Sequence, residues 1–382
     1  MRIFDVAVVG SGPSGVSAAL ELAKSGLSTV IIEKETLPRY KTCGGGFVYR
    51  GLRNIPFDIA SVVEREFCST DVFFDSIGVK VTTERNFPII TMVMRDAFDN
   101  LIVEKAIENG AVLLQGQAVL NIVFDGTMQT IQTSEETIQA QFIIAADGAL
   151  SPVAKMTGWT ETRTLIPALE YEIEVPEADF ERLSQTVRFD VDAVPMGYGW
   201  CFPKKNHLSI GVGVISKKNK KIDLKAHYRR YLATLGITTV IKEAGFGFVI
   251  PISPRTDGFV SKNVFLIGDA AGFADPIVAE GISNAILSGI LAAKAIAESN
   301  RDAVLAAQLY QSKLDNTILK EVNTAALFSK LFYEKTRIRN LVPIKYYQVF
   351  AEALTDLFMG DRTYPEDYKA AIRRKLKSMI FS

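Results

Sequence analysis

The sequence predicts an α/β protein, because patterns typical of buried strands alternate with helical ones, and a glycine-rich turn separates the first strand from the first helix. With 382 residues, the chain exceeds a typical domain of roughly 150, so two domains, or one large domain with an added module, are expected. Alternating segments such as 186–191 predict a second, mostly antiparallel sheet. From about residue 303 onward the pattern is helical.

The first element is a strand over 6–9, a continuous apolar run typical of a strand buried on both faces of a parallel sheet. A G-x-G-x-x-G motif, helical spacing over 16–25 and a second strand over 28–33 follow. Gly10 permits the tight turn, Gly12 lets the backbone approach a pyrophosphate, and Gly15 lets the helix pack on the strand. Glu33 is placed to accept hydrogen bonds from ribose hydroxyls. The unit predicts a Rossmann-type dinucleotide site, which also includes Pro13, Ser14 and Lys34.

Composition excludes several classes of function. Lys plus Arg and Asp plus Glu number 43 each, so no nucleic-acid partner is expected. The two histidines, His207 and His227, cannot form a His-rich zinc or iron centre, and no metal site is predicted. Three scattered cysteines do not make a disulfide framework, which favours a reducing cytoplasm. No signal segment is expected, and no apolar run reaches the roughly 18 residues of a membrane span.

Two further buried strands end in acidic motifs, Asp147-Gly148 after 141–146 and Gly268-Asp269 after 263–267. Together with the glycine turn, these motifs resemble the p-hydroxybenzoate hydroxylase-like FAD superfamily. The resemblance implies a glutathione-reductase-like FAD domain in which Asp269 binds the ribitol. It also implies that Gly281 and Ile282 begin a helix near the pyrophosphate and isoalloxazine, and that Arg95 lies beside the flavin. The alternative for Arg95 is a surface charge that opens a helix.

Three more stretches are similar to the geranylgeranyl reductase family, and they occur in the family's order. The first is Cys43-Gly44-Gly45, the second is Tyr198-x-Trp200-x-Phe202-Pro203, and the third is Gly360-x-x-x-Tyr364. The resemblance implies an FAD enzyme that acts on an isoprenoid chain.

The aromatic strand can also be interpreted without the family. Alternate side chains of a strand share a face, so Tyr198, Trp200 and Phe202 form a wall, with Gly199 and Cys201 on the opposite side. Such a wall suits an elongated apolar substrate or the flavin ring, and core packing is the alternative. Cys43 lies in a glycine-rich loop where its thiol could meet flavin or substrate, although free cysteines are often inert.

The predicted FAD domain is discontinuous and comprises 1–75, 95–160 and 255–310. A substrate-binding sheet comprises 76–94 and 161–254, and a helical region comprises 311–382. The last helix, over 366–382, is amphipathic and basic. It is expected either to dock on its own protein or to lie on anionic lipid, which would make the protein peripheral to a membrane.

The predicted function is the saturation of carbon-carbon double bonds in a geranylgeranyl-type chain by hydride from reduced flavin. Cys43, Tyr198 and Trp200 are the catalytic candidates, and water, Tyr198 or Cys43 could supply the proton. NAD(P)H or an electron carrier reduces the flavin, since no second dinucleotide motif is evident. One alternative is a flavin-dependent monooxygenase or halogenase on the same fold. A second is an electron-transfer flavoprotein that turns over no small molecule. No oligomeric state follows from the sequence.

Overall fold

The structure is a computed structural model that describes residues 1–216 and 222–364. The predicted basic helix over 366–382 lies outside the described residues. The strands are β1 (Arg2–Val9), β2 (Thr29–Ile32), β3 (Gly46–Val48), β4 (Val63–Phe67), β5 (Ser69–Phe74), β6 (Val79–Glu84), β7 (Ile90–Val93), β8 (Val112–Leu114), β9 (Val119–Phe124), β10 (Gln129–Thr133), β11 (Thr137–Ala145), β12 (Leu165–Glu174), β13 (Val187–Val191), β14 (Gly197–Pro203), β15 (Leu208–Val214), β16 (Lys242–Pro251), β17 (Val260–Ser261) and β18 (Val264–Leu266). The helices are α1 (Pro13–Lys24), α2 (Tyr49–Leu52), α3 (Arg95–Glu108), α4 (Pro152–Met156), α5 (Glu177–Leu183), α6 (Leu224–Thr234), α7 (Gly268–Ala271), α8 (Ile282–Glu298), α9 (Ala303–Asn316), α10 (Ile318–Glu334), α11 (Thr336–Asn340) and α12 (Lys345–Met359).

The first sheet has the order β17-β18-β11-β1-β2-β8, and β10 and β9 extend it from β11. Its central strands are parallel, so the carboxyl ends of β1, β2, β11 and β18 lie at one edge. The predicted strand-turn-helix-strand unit is confirmed, although the helix begins at Pro13, where a proline suits the first turn. The carboxyl-terminal halves of these strands, such as 6–9 of β1 and 142–145 of β11, are buried, which explains their uninterrupted apolar runs.

The second sheet has the order β16-β12-β15-β14-β13-β5-β6. Every pair in it is antiparallel except β13 with β5, so the predicted α/β fold class with a mostly antiparallel second sheet is confirmed. The predicted boundary between residues 75 and 76 falls between β5 and β6, which pair with each other in this sheet. A third, small sheet has the order β3-β7-β4.

Helix α9 begins at Ala303, as the change to helical periodicity predicts, and α10 to α12 continue the helical region. The buried hydroxyl of Tyr310 donates to the carbonyl of Leu266 at 2.9 Å, which attaches α9 to the end of β18. Helix α12 packs its Phe358 and Met359 against Phe67 and Ile89, so the helical region covers the second and third sheets. Among the helices described, none combines the length and apolar character needed to cross a membrane.

Helices α1 and α8 approach each other at the level of the backbone. A Cβ at Gly289 of α8 would lie only 2.2 Å from the carbonyl oxygen of Ser14 in α1, so no other residue fits without moving one of the helices. This contact fixes the first turn of α1 relative to α8, and both helices begin at the carboxyl edge of the first sheet.

Candidate active site

The turn between β1 and α1 leaves no room for side chains at two of its glycines. A Cβ at Gly10, where φ is 105°, would lie 2.4 Å from the carbonyl oxygen of Ala146, and a Cβ at Gly15 would lie 2.1 Å from that of Gly10. A Cβ at Gly12, in contrast, would meet only the Arg95 guanidinium, at 3.9 Å. The turn is therefore tightly packed at Gly10 and Gly15 but open at Gly12, where the Arg95 guanidinium is the nearest group.

The first turn of α1 has the properties of an anion site. Gly12 is the residue before the helix, and since glycine has no side chain it cannot cap the free N–H groups of the first turn of α1. Gly12, Pro13 and Ser14 line a cavity, so the positive end of the helix dipole is accessible from it.

Glu33 directly follows β2 in a buried position and is oriented by hydrogen bonds. The N–H and hydroxyl of Ser11 donate to its Oε2 at 3.0 and 2.6 Å, and the N–H of Glu35 donates to Oε1 at 3.1 Å. Burial acts to raise the pKa of Glu33, but these bonds and the charge of Arg39 outweigh it and lower the pKa below its ordinary value. Glu33 is thus an ionised acceptor at the carboxyl edge of the sheet.

Arg95 is buried at the start of α3, so it is not a surface charge. Its Nε and Nη2 donate to the two oxygens of Asp99 at 2.8 and 2.9 Å, and Arg39 donates to the same carboxylate at 3.0 Å. Burial opposes the charge of Arg95, but Asp99 and Cys43 raise its pKa. Two guanidinium groups therefore share one buried carboxylate beside the glycine turn, and Nε of Arg39 also lies 3.6 Å from Oε2 of Glu33.

The two acidic motifs have different roles in the geometry. Asp147 accepts hydrogen bonds from the Ser151 hydroxyl at 2.7 Å and the Val153 N–H at 2.8 Å, so its side chain holds the start of α4. Asp269 lies in α7, and a Cβ at Gly281, which precedes α8, would be 3.5 Å from its Oδ1. Burial raises the pKa of Asp269, and the charges of Lys41 and Arg95 counteract this rise.

Most of the predicted site residues line one cavity of about 570 Å³. Those that line it are Gly10, Gly12, Pro13, Ser14, Glu33, Lys34, Cys43, Gly44, Gly45, Arg95, Asp147, Tyr198, Trp200, Asp269, Gly281 and Ile282. Gly15 and Gly268 lie behind it, where they permit close packing: a Cβ at Gly268 would be 2.9 Å from the Ser14 hydroxyl. The cavity extends from the glycine turn, past Cys43, to the aromatic strand.

The predicted division of the aromatic strand between two faces is confirmed. Tyr198, Trp200 and Phe202 of β14 face the cavity, whereas Cys201 packs in a separate apolar cluster behind the sheet. Phe189, Phe248 and Phe358, from β13, β16 and α12, complete the wall. The hydroxyl of Tyr198 donates to the carbonyl of Val278, and burial raises its pKa. The indole N–H of Trp200 is buried and has no hydrogen-bond partner among the described residues.

The Cys-Gly-Gly loop is held by two buried ionisable residues, Glu170 and Lys204. The N–H of Cys43 donates to Oε1 of Glu170 at 3.1 Å, and Nζ of Lys204 donates to the carbonyls of Gly44 at 2.6 Å and Val93 at 3.2 Å. A Cβ at Gly45 would lie 2.1 Å from the Val93 oxygen. The loop is thus a fixed bridge between the glycine turn and the aromatic wall.

The sequence did not identify Arg39, Tyr40, Lys41, Glu170 or Lys204 as parts of the site. Lys204 looks like part of an exposed Lys-Lys-Asn turn, yet it is fully buried because two carbonyls accept its hydrogen bonds. The spacing of Arg95 and Asp99 predicts their own i, i+4 pair, but nothing local indicates that Arg39 joins it from 60 residues away.

Comparison with known proteins agrees with this geometry. A family model described as an FAD binding domain matches residues 4–309. Geranylgeranyl diphosphate reductase from the chloroplast of Arabidopsis thaliana is 30% identical, covering 97% of this chain and 84% of its own.

Solved structures extend the similarity to the whole fold. A geranylgeranyl bacteriochlorophyll reductase-like protein from Thermoplasma acidophilum has a TM-score of 0.76 at 23% identity, covering 98% of this chain and 96% of that chain. A flavin-dependent brominase has a TM-score of 0.71 at 20% identity and covers 99% of both chains. At these identities the solved structures establish the fold alone.

Replacement of Glu33 tests the dinucleotide end of the cavity. In Glu33→Gln the side-chain carbonyl oxygen still accepts from Ser11, but the charged carboxylate that would accept hydrogen bonds from the ribose hydroxyls is lost. A hydrogen bond to a charged group is worth about 1.5–3 kcal/mol, so the dissociation constant for FAD should rise by roughly 10- to 100-fold, measured by flavin fluorescence titration. Glu104→Gln, on the exposed face of α3, is the control. Equal affinity of the Glu33 variant and the wild type would contradict the assignment.

Proposed function

The chain belongs to the FAD binding domain family together with geranylgeranyl reductases and is an FAD-dependent oxidoreductase; from this premise we propose that it saturates carbon-carbon double bonds of an isoprenoid chain. The observation that supports this function most directly is the single cavity that joins the glycine turn to the wall of aromatic side chains. An apolar chain bound along that wall would have its alkene at the junction, beside Cys43.

The described residues fit FAD. The open space above Gly12, the uncapped start of α1 and the Arg95 guanidinium would hold the pyrophosphate, and Glu33 would accept from the adenosine ribose. Asp269 and the start of α8 at Gly281 and Ile282 would hold the ribitol end; this role for Asp269 comes from the family resemblance. Bound FAD, once reduced, supplies hydride.

The protein's part in the reaction is to position the alkene and to exclude water. Trp200, Tyr198 and Phe202 line the cavity with apolar surface, and the indole N–H of Trp200 is buried without a hydrogen-bond partner among the described residues. No histidine lines the cavity within residues 1–216 and 222–364. Cys43, Tyr198 and Trp200 are therefore the catalytic candidates that surround the reacting carbon atoms, and NAD(P)H or an electron carrier supplies the reducing equivalents.

Anaerobic reoxidation tests this function against its alternatives. The bound flavin is photoreduced, geranylgeranyl diphosphate is added, and the oxidised flavin absorbance is followed together with the product mass. We expect reoxidation with a product heavier by a multiple of two hydrogens. Reoxidation only by oxygen, with an oxygenated product, would instead identify a monooxygenase. Reoxidation only by a protein acceptor would identify an electron-transfer flavoprotein.

Two glycines of β15 provide a matched test of the aromatic wall. A Cβ at Gly211 would lie 2.1 Å from Cζ2 of Trp200, whereas a Cβ at Gly213 makes only ordinary contacts, at 3.7 Å or more. The same Cβ would lie 2.6 Å from the carbonyl oxygen of Leu169, so Gly211→Ala should displace the indole and this part of β12. The rate of reoxidation by geranylgeranyl diphosphate should then fall by about 10-fold or more, since a misplacement of about 1 Å can cost up to roughly 10²-fold in rate. Gly213→Ala should react like the wild type. If the two variants behave alike, the indole does not position the substrate.

An isoprenoid substrate also favours a cytoplasmic enzyme that contacts a membrane through the predicted helix over 366–382, which lies outside the described residues. Changing Arg373, Arg374 and Lys375 to glutamine in the full chain should weaken binding to phosphatidylglycerol vesicles by up to roughly 100-fold, at about 1 kcal/mol per charge. The control changes three other basic residues to glutamine, namely Lys225, Lys294 and Lys335, which are exposed on other helices or at their ends. Equal vesicle binding by both variants in a sedimentation assay would remove the membrane proposal.

A further inference from the structure

One carboxyl group interrupts the aromatic wall. Strand pairing places Phe189, Trp200, Gly211, Glu170 and Phe246 in one row across β13, β14, β15, β12 and β16. Since Gly211 has no side chain, the indole of Trp200 lies over it and extends towards Glu170. Glu170 is buried, with an exposed fraction of 2%, and it lines the cavity. A buried carboxyl group among aromatic rings needs either a structural or a chemical reason.

The contacts of Glu170 leave one of its oxygens available. Its Oε1 accepts from the Tyr40 hydroxyl at 2.8 Å and from the N–H of Cys43 at 3.1 Å, both on the loop that carries the Cys-Gly-Gly motif. Its Oε2 makes no hydrogen bond to the described part of the chain. A proton on Oε2 would therefore be compatible with both observed bonds, because neither needs that oxygen as an acceptor.

The charges that face Glu170 favour its acid form near neutral pH. Burial and the carboxylate of Glu172, on the same face of β12, raise the pKa of Glu170 to about 7, against the opposing effects of the bonds from Tyr40 and Cys43 and the charge of Lys204. The facing residues of the neighbouring strands, Gly211 and Phe246, are not titratable. The acid form is present below this pKa and is lost as the pH rises through it.

A row of mostly buried polar groups lies between Glu170 and the protein surface. Glu172 follows two residues later on the same face, and its Oε2 lies 3.1 Å from Nε2 of the half-buried His207. The oxygens of Glu172 and the hydroxyl of Ser209 are buried and make no hydrogen bond to described residues. Groups of this kind are usually hydrogen-bonded to internal water, which also conducts protons.

On these observations we propose that Glu170 is the acid that supplies the proton for the reduction, an assignment that rests on the proposed function. The O–H bond of Glu170 breaks and a C–H bond forms at one alkene carbon, while the other carbon receives the hydride that reduced flavin supplies. The alkene would thus gain one hydride and one proton, the hydride at the expense of bound reduced FAD, and Glu170 would be left as a carboxylate. Its proton returns from solvent through Glu172 and His207. Tyr198 is not needed as donor, since its hydroxyl is engaged with the Val278 carbonyl.

The matched variants are Glu170→Gln and Glu174→Gln. Glutamine at 170 keeps an acceptor for Tyr40 and Cys43 but carries no acid proton, whereas Glu174 lies on the same face of β12, paired with Lys242 at 3.3 Å and outside the cavity. In Glu170→Gln, anaerobic reoxidation by geranylgeranyl diphosphate should slow by about 10²- to 10⁴-fold, with unchanged FAD content and unchanged reduction of the flavin. The wild-type rate should fall as the pH rises through about 7, and this fall should be missing in Glu170→Gln.

An infrared titration checks the proton itself, independently of turnover. The difference spectrum between Glu174→Gln and Glu170→Gln should show a carboxylic-acid C=O band that disappears as the pH rises through about 7, whereas the band of Asp75, whose pKa is raised to about 6, is common to both proteins and cancels. Wild-type reoxidation rates in Glu170→Gln, or the absence of such a band, would overturn the proposal. A titrating band in a wild-type protein that no prenyl compound reoxidises would overturn the proposed function and still support Glu170 as a proton-carrying group.

Discussion

The arrangement of the site depends on the close approach of backbone to backbone at the carboxyl edge of the first sheet. Gly10 against Ala146, Gly15 against Gly10, and Gly289 against Ser14 leave no space for a Cβ. These contacts set the distance between β1, β11, α1 and α8, and so determine where the uncapped start of α1 lies relative to Asp269 and Gly281. The anion site, the acidic residues and the aromatic wall all take their positions from this packed edge.

Local motifs could be predicted from sequence, and long-range contacts could not. The glycine turn and Glu33 occur within one strand-turn-helix-strand unit, so spacing alone places them. Glu170 and Cys43 are separated by more than a hundred residues and meet only because the second sheet packs against the loop after β2. Alternation of Glu170, Glu172 and Glu174 is also the pattern of a solvent-facing strand. The loop that covers this face of β12 at Glu170 comes from another part of the chain, and no local pattern reveals it.

Two buried glutamates, Glu33 and Glu170, show how the fold can shift the pKa of the same side-chain type in opposite directions. Glu33 is buried, but two backbone N–H groups, a hydroxyl and a nearby guanidinium compensate its charge and keep it ionised. Glu170 is equally buried, but its nearest charged neighbours include another carboxylate, and its pKa rises. Environments that separate the pKa values of like groups in this way allow one to bind as an anion and the other to hold a proton.

The contribution of Phe358 to the wall has a consequence for the order in which the protein is made. Among the described residues that line the cavity, every other one lies at or before Ala285, and only Phe358 comes from the helical region that follows. During synthesis, the parts that would bind the dinucleotide emerge from the ribosome well before α12 does. Phe358 therefore joins the aromatic wall only after every other described residue that lines the cavity has been synthesised.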